Sequence, residues 1–274
     1  MTLTTELAEE LLDLAVRTAR SAARLVESGA ARGVEVADTK SSAVDVVTES
    51  DRSSERLIRR TLLDARPGDA VLGEEGQGEQ SDRPGTSGVR WIVDPIDGTV
   101  NFLYGIPQYA VSIAAELDGE VVAGVVLNVA TGTEYTATLG GPALRDGLPI
   151  RVRAVVPLAE RLIGTGFSYE AHQREVQAAS LLRLLPRIRD IRRLGSCALD
   201  LCGVAQGSLD GYLEEGVNVW DHAAGGLVAR SAGARVETLP GVGGRPIVVA
   251  APAGGFEEFL TAITQAGYLA APGA

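Results

Sequence analysis

The sequence predicts an α+β protein in two parts, and three observations carry that reading. Two stretches near the N-terminus repeat apolar residues at helical spacing. From Trp91 to Pro149 the apolar residues come in short runs divided by turn signals, the mark of an antiparallel sheet. From Val152 onward strand-like and helix-like segments alternate, which argues for a layered α/β half. The chain divides near residue 150, into 1–150 and 151–274.

The elements follow in order. Leu7, Leu11, Leu14, Ala15, Ala19, Ala22, Leu25 and Val26 share one helical face, so a long helix runs to about Ser28 with Thr4 or Thr5 as its cap. Val34-Glu35-Val36 reads as a short strand, and the residues after it as a loop. A second helix spans about Ser53 to Asp64 and stops at Arg66-Pro67-Gly68-Asp69. Ala70-Val71-Leu72-Gly73 is a buried strand leading into Glu74-Glu75, and Gly76 to Gly88 is a polar, glycine-rich surface loop. Residues 111–117 and 121–130 flank Asp118-Gly119, a hairpin signal. Thr133 to Thr138 continues the sheet, and Arg145-Asp146-Gly147-Leu148-Pro149 makes a tight turn. The second half reads as strand 161–166, helix His172 to Leu185, strand Arg189 to Arg193, helix Cys197 to Gln206 and strand Leu209 to Leu213. Helix Trp220 to Ser231, strand Ile247 to Ala251 and helix Phe256 to Ala266 complete it.

Composition narrows the function. Only 4% of the 274 residues are aromatic while Ala and Gly abound, so the core is built from small aliphatic side chains. A formal net charge of −11 argues against a nucleic-acid partner. The densest basic run, Arg183 to Arg193, reads as a solvated or subunit-facing strand edge. The acidic, amphipathic N-terminus is unlike a signal peptide and no apolar run is long enough for a membrane span, so a cytoplasmic location is expected. Cys197 and Cys202 are five apart, off a common helical face, and read as buried small residues rather than a disulfide. No histidine stands near them in a zinc pattern, and His172 and His222 are not expected to be ligands.

The acids carry the chemistry. Asp45 and Asp51 bracket an apolar pair, Glu74 and Glu75 follow a buried strand, Asp94 and Asp97 follow another, and Asp221 follows Val217-Asn218-Val219-Trp220. Singly each has an ordinary explanation: Asp97-Gly98 a turn, Glu74-Glu75 a solvated loop, Asp51 or Asp221 a helix cap. Together they mark several points where apolar runs end in carboxylates, and burying unpaired carboxylates is costly. A hard divalent cation removes that cost, and an oxygen-only ligand set suits Mg²⁺ rather than Zn²⁺. In WIVDPIDGTVNF (91–102), Pro95 fixes a turn that lets Asp94 and Asp97 face one point. Gly98 allows close backbone approach, and Thr99 adds a hydroxyl and an N–H. Two cations about 4 Å apart that share a carboxylate form an apparatus for phosphoryl transfer to water.

Those blocks resemble a known family. KSSAVDVVTESD (40–51), Gly73-Glu74-Glu75, WIVDPIDGTVNF and Val219 to Gly226 (VWDHAAGG) are similar, in order and spacing, to the signatures of the inositol monophosphatase family of Mg²⁺-dependent, Li⁺-sensitive phosphatases. The resemblance implies a five-layer αβαβα sugar-phosphatase fold and a homodimer. It implies two to three Mg²⁺ per subunit. Glu74, Asp94 and the carbonyl of Ile96 would hold one, and Asp94, Asp97 and Asp221 a second, with a third and weaker one near Glu74. Asp51 and Thr99, with Glu74, would form the catalytic set that orients and deprotonates water. The N–H groups of Gly98 and Thr99 would bind phosphate. Ser196 and Cys197 would line the substrate pocket, with Glu214 and Asp221 toward substrate hydroxyls, and Glu75 would sit behind. Thr165 to Ser168 matches the bacterial version of the family. Lys40 lies near a loop that carries metal-site residues, and is equally read as a surface lysine. The implied substrate is a small phosphate monoester, myo-inositol 1-phosphate or a similar polyol phosphate, with histidinol phosphate as the alternative. Some bacterial relatives bind RNA polymerase and the transcription machinery, and the arginine run invites that reading too.

Overall fold

The structure is a computed structural model that describes residues 4–32, 36–39, 46–76 and 85–270. Lys40, Asp45, Val34-Glu35 and most of the loop expected between Gly76 and Gly88 lie outside the described residues.

The first half begins with α1 (Thr5–Arg32), which runs four residues past the expected end and buries Leu11, Ala15, Ala19, Ala22 and Val26. β1 (Val36–Thr39) and β2 (Val46–Thr48) form a small antiparallel pair. β2 falls where a loop was expected, because three residues are too few to show an alternating pattern. α2 (Glu49–Ala65) starts four residues early for a local reason: Thr48 is its N-cap and Asp51, at the third helical position, closes the capping box.

Seven strands follow: β3 (Ala70–Gly73), β4 (Val89–Asp97), β5 (Ala110–Leu117), β6 (Glu120–Asn128), β7 (Glu134–Thr138), β8 (Leu144–Arg145) and β9 (Leu148–Pro149), with the short helix α3 (Thr99–Tyr104) after β4. They lie side by side in chain order, antiparallel throughout except for the parallel β3–β4 pair.

The second half contains β10 (Leu162–Thr165), α4 (Ala171–Leu184), β11 (Asp190–Arg192), α5 (Cys197–Ala205), β12 (Gly211–Glu215), α6 (Val219–Ser231), β13 (Ala234–Pro240), β14 (Pro246–Pro252) and α7 (Phe256–Ala266). Its sheet runs in the order β11-β10-β12-β14-β13, parallel at β11-β10-β12 and antiparallel beyond. β13 has no counterpart among the expected elements. It is an edge strand with most residues partly or fully exposed, so its sequence carries little apolar signal.

The layers alternate α, β, α, β, α: α1 and α2, the seven-stranded sheet, α5 and α6, the five-stranded sheet, then α4 and α7. The middle helices are covered on both sides. All nine residues of α5 are buried, and Ala223 to Ala229 of α6 likewise. Small side chains make this possible. A Cβ on Gly124 of β6 would come 3.1 Å from Ala224 Cα, and one on Gly225 would come 2.9 Å from Ala198 O. The low aromatic content therefore reflects two helices squeezed between two sheets. This central layer draws on both halves of the chain, joining Ile92, Ala114 and Val126 to Leu201, Ala224 and Val228 in one apolar cluster.

Cys197 and Cys202 are both buried and free. Within the arginine run, β11 is indeed a sheet edge. Its arginines are largely engaged inside the molecule: Arg183, Arg187 and Arg189 donate to the carbonyls of Ala266, Ala262 and Glu160, and Arg192 pairs with Asp190. Among the described residues, no helix is long and apolar enough to cross a membrane.

Candidate active site

β4 does not end in a turn at Pro95; it continues to Asp97. Against β5, Asp94 faces Ser112 and Asp97 faces Ala110, so three steps on one strand match two on the other. The extra residue at Pro95-Ile96 is a β-bulge, a position where proline is tolerated. In a regular strand, residues three apart point to opposite faces. The bulge turns Asp94 and Asp97 to the same side.

There they meet a third acid. Carboxylate oxygens of Asp94, Asp97 and Asp221 lie within 4.8 Å of one another, and no other such group of acids, histidines or cysteines occurs among the described residues. Glu74 lines the same cleft without belonging to that trio. The cleft has a volume of about 320 Å³, and its lining includes Ile96, Gly98, Thr99, Cys197 and Glu214.

Asp51 and Asp221 reach the site by one device. Each occupies the third position of its helix rather than the cap, as the ordinary reading had it. Each spends an oxygen on the cap backbone: Thr48 N–H donates to Asp51 Oδ2 at 2.8 Å and Asn218 N–H to Asp221 Oδ2 at 2.6 Å. The second oxygen of Asp51 then accepts Thr99 Oγ1–H at 2.9 Å. Thr99 Oγ1 also lies 3.0 Å from the Ile96 carbonyl.

Gly98 links β4 to α3 with φ +96°, and a Cβ there would come within 2.9 Å of Gln108 O, so no larger residue fits this corner. Asn101 Nδ2 ties α3 to the carbonyls of Gln108 and Leu194 at 2.7 Å each, which docks the second half of the chain beside the bulge.

Ser196, expected on the pocket wall, is buried. It caps α5, and its hydroxyl donates to Asp97 Oδ2 at 2.5 Å, where the Ala198 N–H also arrives at 2.7 Å. Its neighbour Cys197 does line the cleft, and burial pushes its thiol well up. Glu214, on β12, accepts the Tyr212 hydroxyl at 2.9 Å. Its carboxylate folds over Gly166, where a Cβ would come within 2.0 Å of it. Tyr212 was missed in the sequence reading, although two residues apart on a strand means one face. His222 is not among the cleft-lining residues, and burial pushes its pKa down to about 4; His172 is exposed on α4.

The electrostatics are those of acids crowded out of water. Burial raises the carboxyl of Asp97 to about 6, against the pull of Ser196 and backbone N–H groups. Burial raises Asp221 well above the usual range, and the charges of Glu74 and Asp97 add to it. Burial lifts Glu214 to about 7, with Arg193 opposing. Arg193, read in the sequence only as part of the arginine run, lines the cleft, and its charge opposes the effect of burial on Asp97 and Glu214. A set of close, buried, oxygen-only donors with too little positive charge among them fits a hard divalent cation.

A profile of the inositol monophosphatase family matches residues 7–266. The chain belongs to that family. It is a phosphatase of the inositol monophosphatase type, and the layered fold is the family's own. It is 50% identical over 237 residues to a Mycobacterium tuberculosis protein named inositol-1-monophosphatase SuhB, covering 82% of this chain and 80% of that protein. The solved structure of Mycobacterium tuberculosis SuhB superposes with a TM-score of 0.80 at 43% identity, covering 96% of this chain and 98% of that one. A Pasteurella multocida protein named Nus factor SuhB is 36% identical over 230 residues, 82% of this chain and 84% of that protein. The chain thus has similar relatives named for an enzyme activity and others named Nus factor.

Proposed function

We propose that this chain is a Mg²⁺-dependent phosphomonoesterase that hydrolyses myo-inositol 1-phosphate or a closely similar polyol phosphate. The observation that carries the reading is the bulge in β4, which brings Asp94 and Asp97 within 4.8 Å of Asp221 in a cleft also lined by Glu74 and Glu214.

In this reading Glu74, Asp94 and the Ile96 carbonyl would hold one Mg²⁺, Asp94, Asp97 and Asp221 a second, and Glu74 would take part in a weaker third. Bound Mg²⁺ supplies charge neutralisation for the phosphate and acidity for water. The chain's own residues do the rest. Thr99 Oγ1 donates to buried Asp51, so its lone pairs are left to orient an incoming water, and Asp51 Oδ1 is placed to receive the proton. The Gly98 and Thr99 N–H groups, at the start of α3, would bind phosphate oxygens. Ser196 acts through Asp97, and Cys197 shapes the wall. Glu214, held by Tyr212, would accept hydrogen bonds from polyol hydroxyls.

Li⁺ sensitivity, a cytoplasmic location and a homodimer belong to the same proposal. Support for the dimer comes from the large apolar side chains left exposed at Tyr104, Ile106, Leu182, Leu185 and Leu194, in segments flanking the edge strand β11 and around α3. A transcription-related partner would use the same edge, whose arginines are mostly engaged internally.

Substrate follows from Glu214. Phosphate release from inositol 1-phosphate and histidinol phosphate, compared at equal concentrations with Mg²⁺, is expected to favour the inositol ester clearly. Preference for histidinol phosphate would mean that the acidic wall receives an ammonium, and hydrolysis of neither would remove both esters as its substrates. Gly166→Ala would push the Glu214 carboxylate out of place. It should raise KM for the inositol ester about tenfold or more, the scale of a lost hydrogen bond to a charged group, with a smaller change in kcat. An unchanged KM would show that Glu214 does not touch the substrate.

A further inference from the structure

We propose that Glu55, on α2, is a positioning residue that sets the affinity of the site for divalent cations by fixing the turn that carries Glu74. The inference rests on the reading of Glu74 as a cation ligand.

Glu55 is only 3% exposed, unusual for a glutamate. Both its oxygens are engaged, one on the backbone beside Glu74 and the other on Arg59. Oε2 accepts the Glu75 N–H at 2.7 Å, and Oε1 accepts Arg59 Nε at 2.8 Å. Arg59 Nη1 in turn donates to the Val71 carbonyl of β3 at 3.0 Å. The pair therefore grips the backbone on both sides of Glu74, the strand before it and the residue after it.

The glycines around Glu74 are shaped to this grip. A Cβ on Gly73 would come within 2.5 Å of the Glu55 carboxylate carbon. One on Gly76 would come within 2.3 Å of Arg59 Nη2 and 2.6 Å of Glu55 Oε1. The turn Gly73-Glu74-Glu75-Gly76 is wrapped so closely on the Glu55–Arg59 pair that no side chain fits between.

Asp51, Glu55 and Arg59 are spaced by four, so they form one stripe along α2 with turns about 6 Å apart. Asp51 reaches Thr99, Ser54 donates to the Pro95 carbonyl at 3.3 Å, Glu55 holds the backbone after Glu74, and Arg59 holds β3. One rigid helix thus holds both carboxylate-bearing segments, the Glu74 turn and the Asp94–Asp97 bulge. A buried ion pair is a poor source of net stability but a good source of fixed geometry. Groups that orient ligands from behind typically alter metal affinity about 10- to 100-fold when replaced.

The test uses the full chain without substrate. Mg²⁺ binding is measured by calorimetric titration in the wild type, Glu55→Gln, Gly76→Ala and Glu74→Gln, beside melting temperatures without metal. Glu55→Gln keeps an oxygen for the Glu75 N–H but removes the charge that holds Arg59; Gly76→Ala attacks the same grip from a partly buried turn and covers the case in which Glu55→Gln folds poorly. Both should weaken Mg²⁺ binding about tenfold or more, and in a separate assay with substrate kcat should recover as Mg²⁺ is raised. Unchanged Mg²⁺ affinity in both, with Glu74→Gln weakened, would overturn the positioning role alone. Unchanged affinity in Glu74→Gln would overturn the cation reading of Glu74 and the inference with it.

Discussion

Asp94→Asn should lower kcat by about a thousandfold or more while the protein still folds. In the proposed reading Asp94 is shared by both cations, and it is 1% exposed, so no water replaces its lost charge. The fold survives because the local bond survives. Asp94 Oδ1 accepts the Ile96 N–H at 3.0 Å, and the amide oxygen of asparagine can do the same. Replacing a buried carboxyl by a neutral amide also removes the cost of keeping a charge there out of water. The metal-free variant should therefore melt at the same temperature as the wild type or above it. Steady-state kinetics and melts without Mg²⁺ check both halves. A variant with most of its activity would mean that Asp94 is not shared between cations.

The second large effect is a reversed pH dependence. The carboxyls of Asp97, at about 6, and Glu214, at about 7, lie above their unfolded values because the folded protein buries them, and burial raises Asp200 and Asp221 as well. A raised folded value means that the folded state binds protons more tightly than the unfolded chain. The stability this contributes is full below about pH 4 and drains away as pH rises through 6 and 7. Without metal, the melting temperature should fall from pH 5 to pH 8 by on the order of 5–10 °C. Mg²⁺ favours the charged carboxylates, so the rise in melting temperature on adding it should be larger at pH 8 than at pH 5. Thermal melts at the two pH values, with and without Mg²⁺, test this. A flat metal-free profile, or a Mg²⁺ effect larger at pH 5, would contradict the account of these buried acids.

How much of this was legible depends on sequence separation. The layered α/β half could be read because most of its helices and strands alternate and carry their own apolar runs; the exposed edge strand β13 carries none and went unread. The acids could be read because they stand where apolar runs give way. What Pro95 does could not. A proline inside an apolar run looks like a turn, and only the register against β5 shows a bulge in a strand that continues. The start of α2 was legible in principle, since Thr48 and Asp51 stand at capping-box spacing, but polar Glu49-Ser50 carry no apolar period. Ser196 on Asp97 and Glu55 on Glu75 join residues 99 and 20 positions apart. No local pattern records such pairs, so Ser196 was expected on the cleft wall and Glu55 was passed over.

The central claim is that the Asp94–Asp97 bulge, Asp221 and Glu74 hold divalent cations. Crystals grown with Mn²⁺ in place of Mg²⁺ test it most directly, through anomalous scattering. The expected result is one peak among Asp94, Asp97 and Asp221 and another beside Glu74, Asp94 and the Ile96 carbonyl. An enzyme active with Mn²⁺ but without a peak among those three aspartates would contradict it.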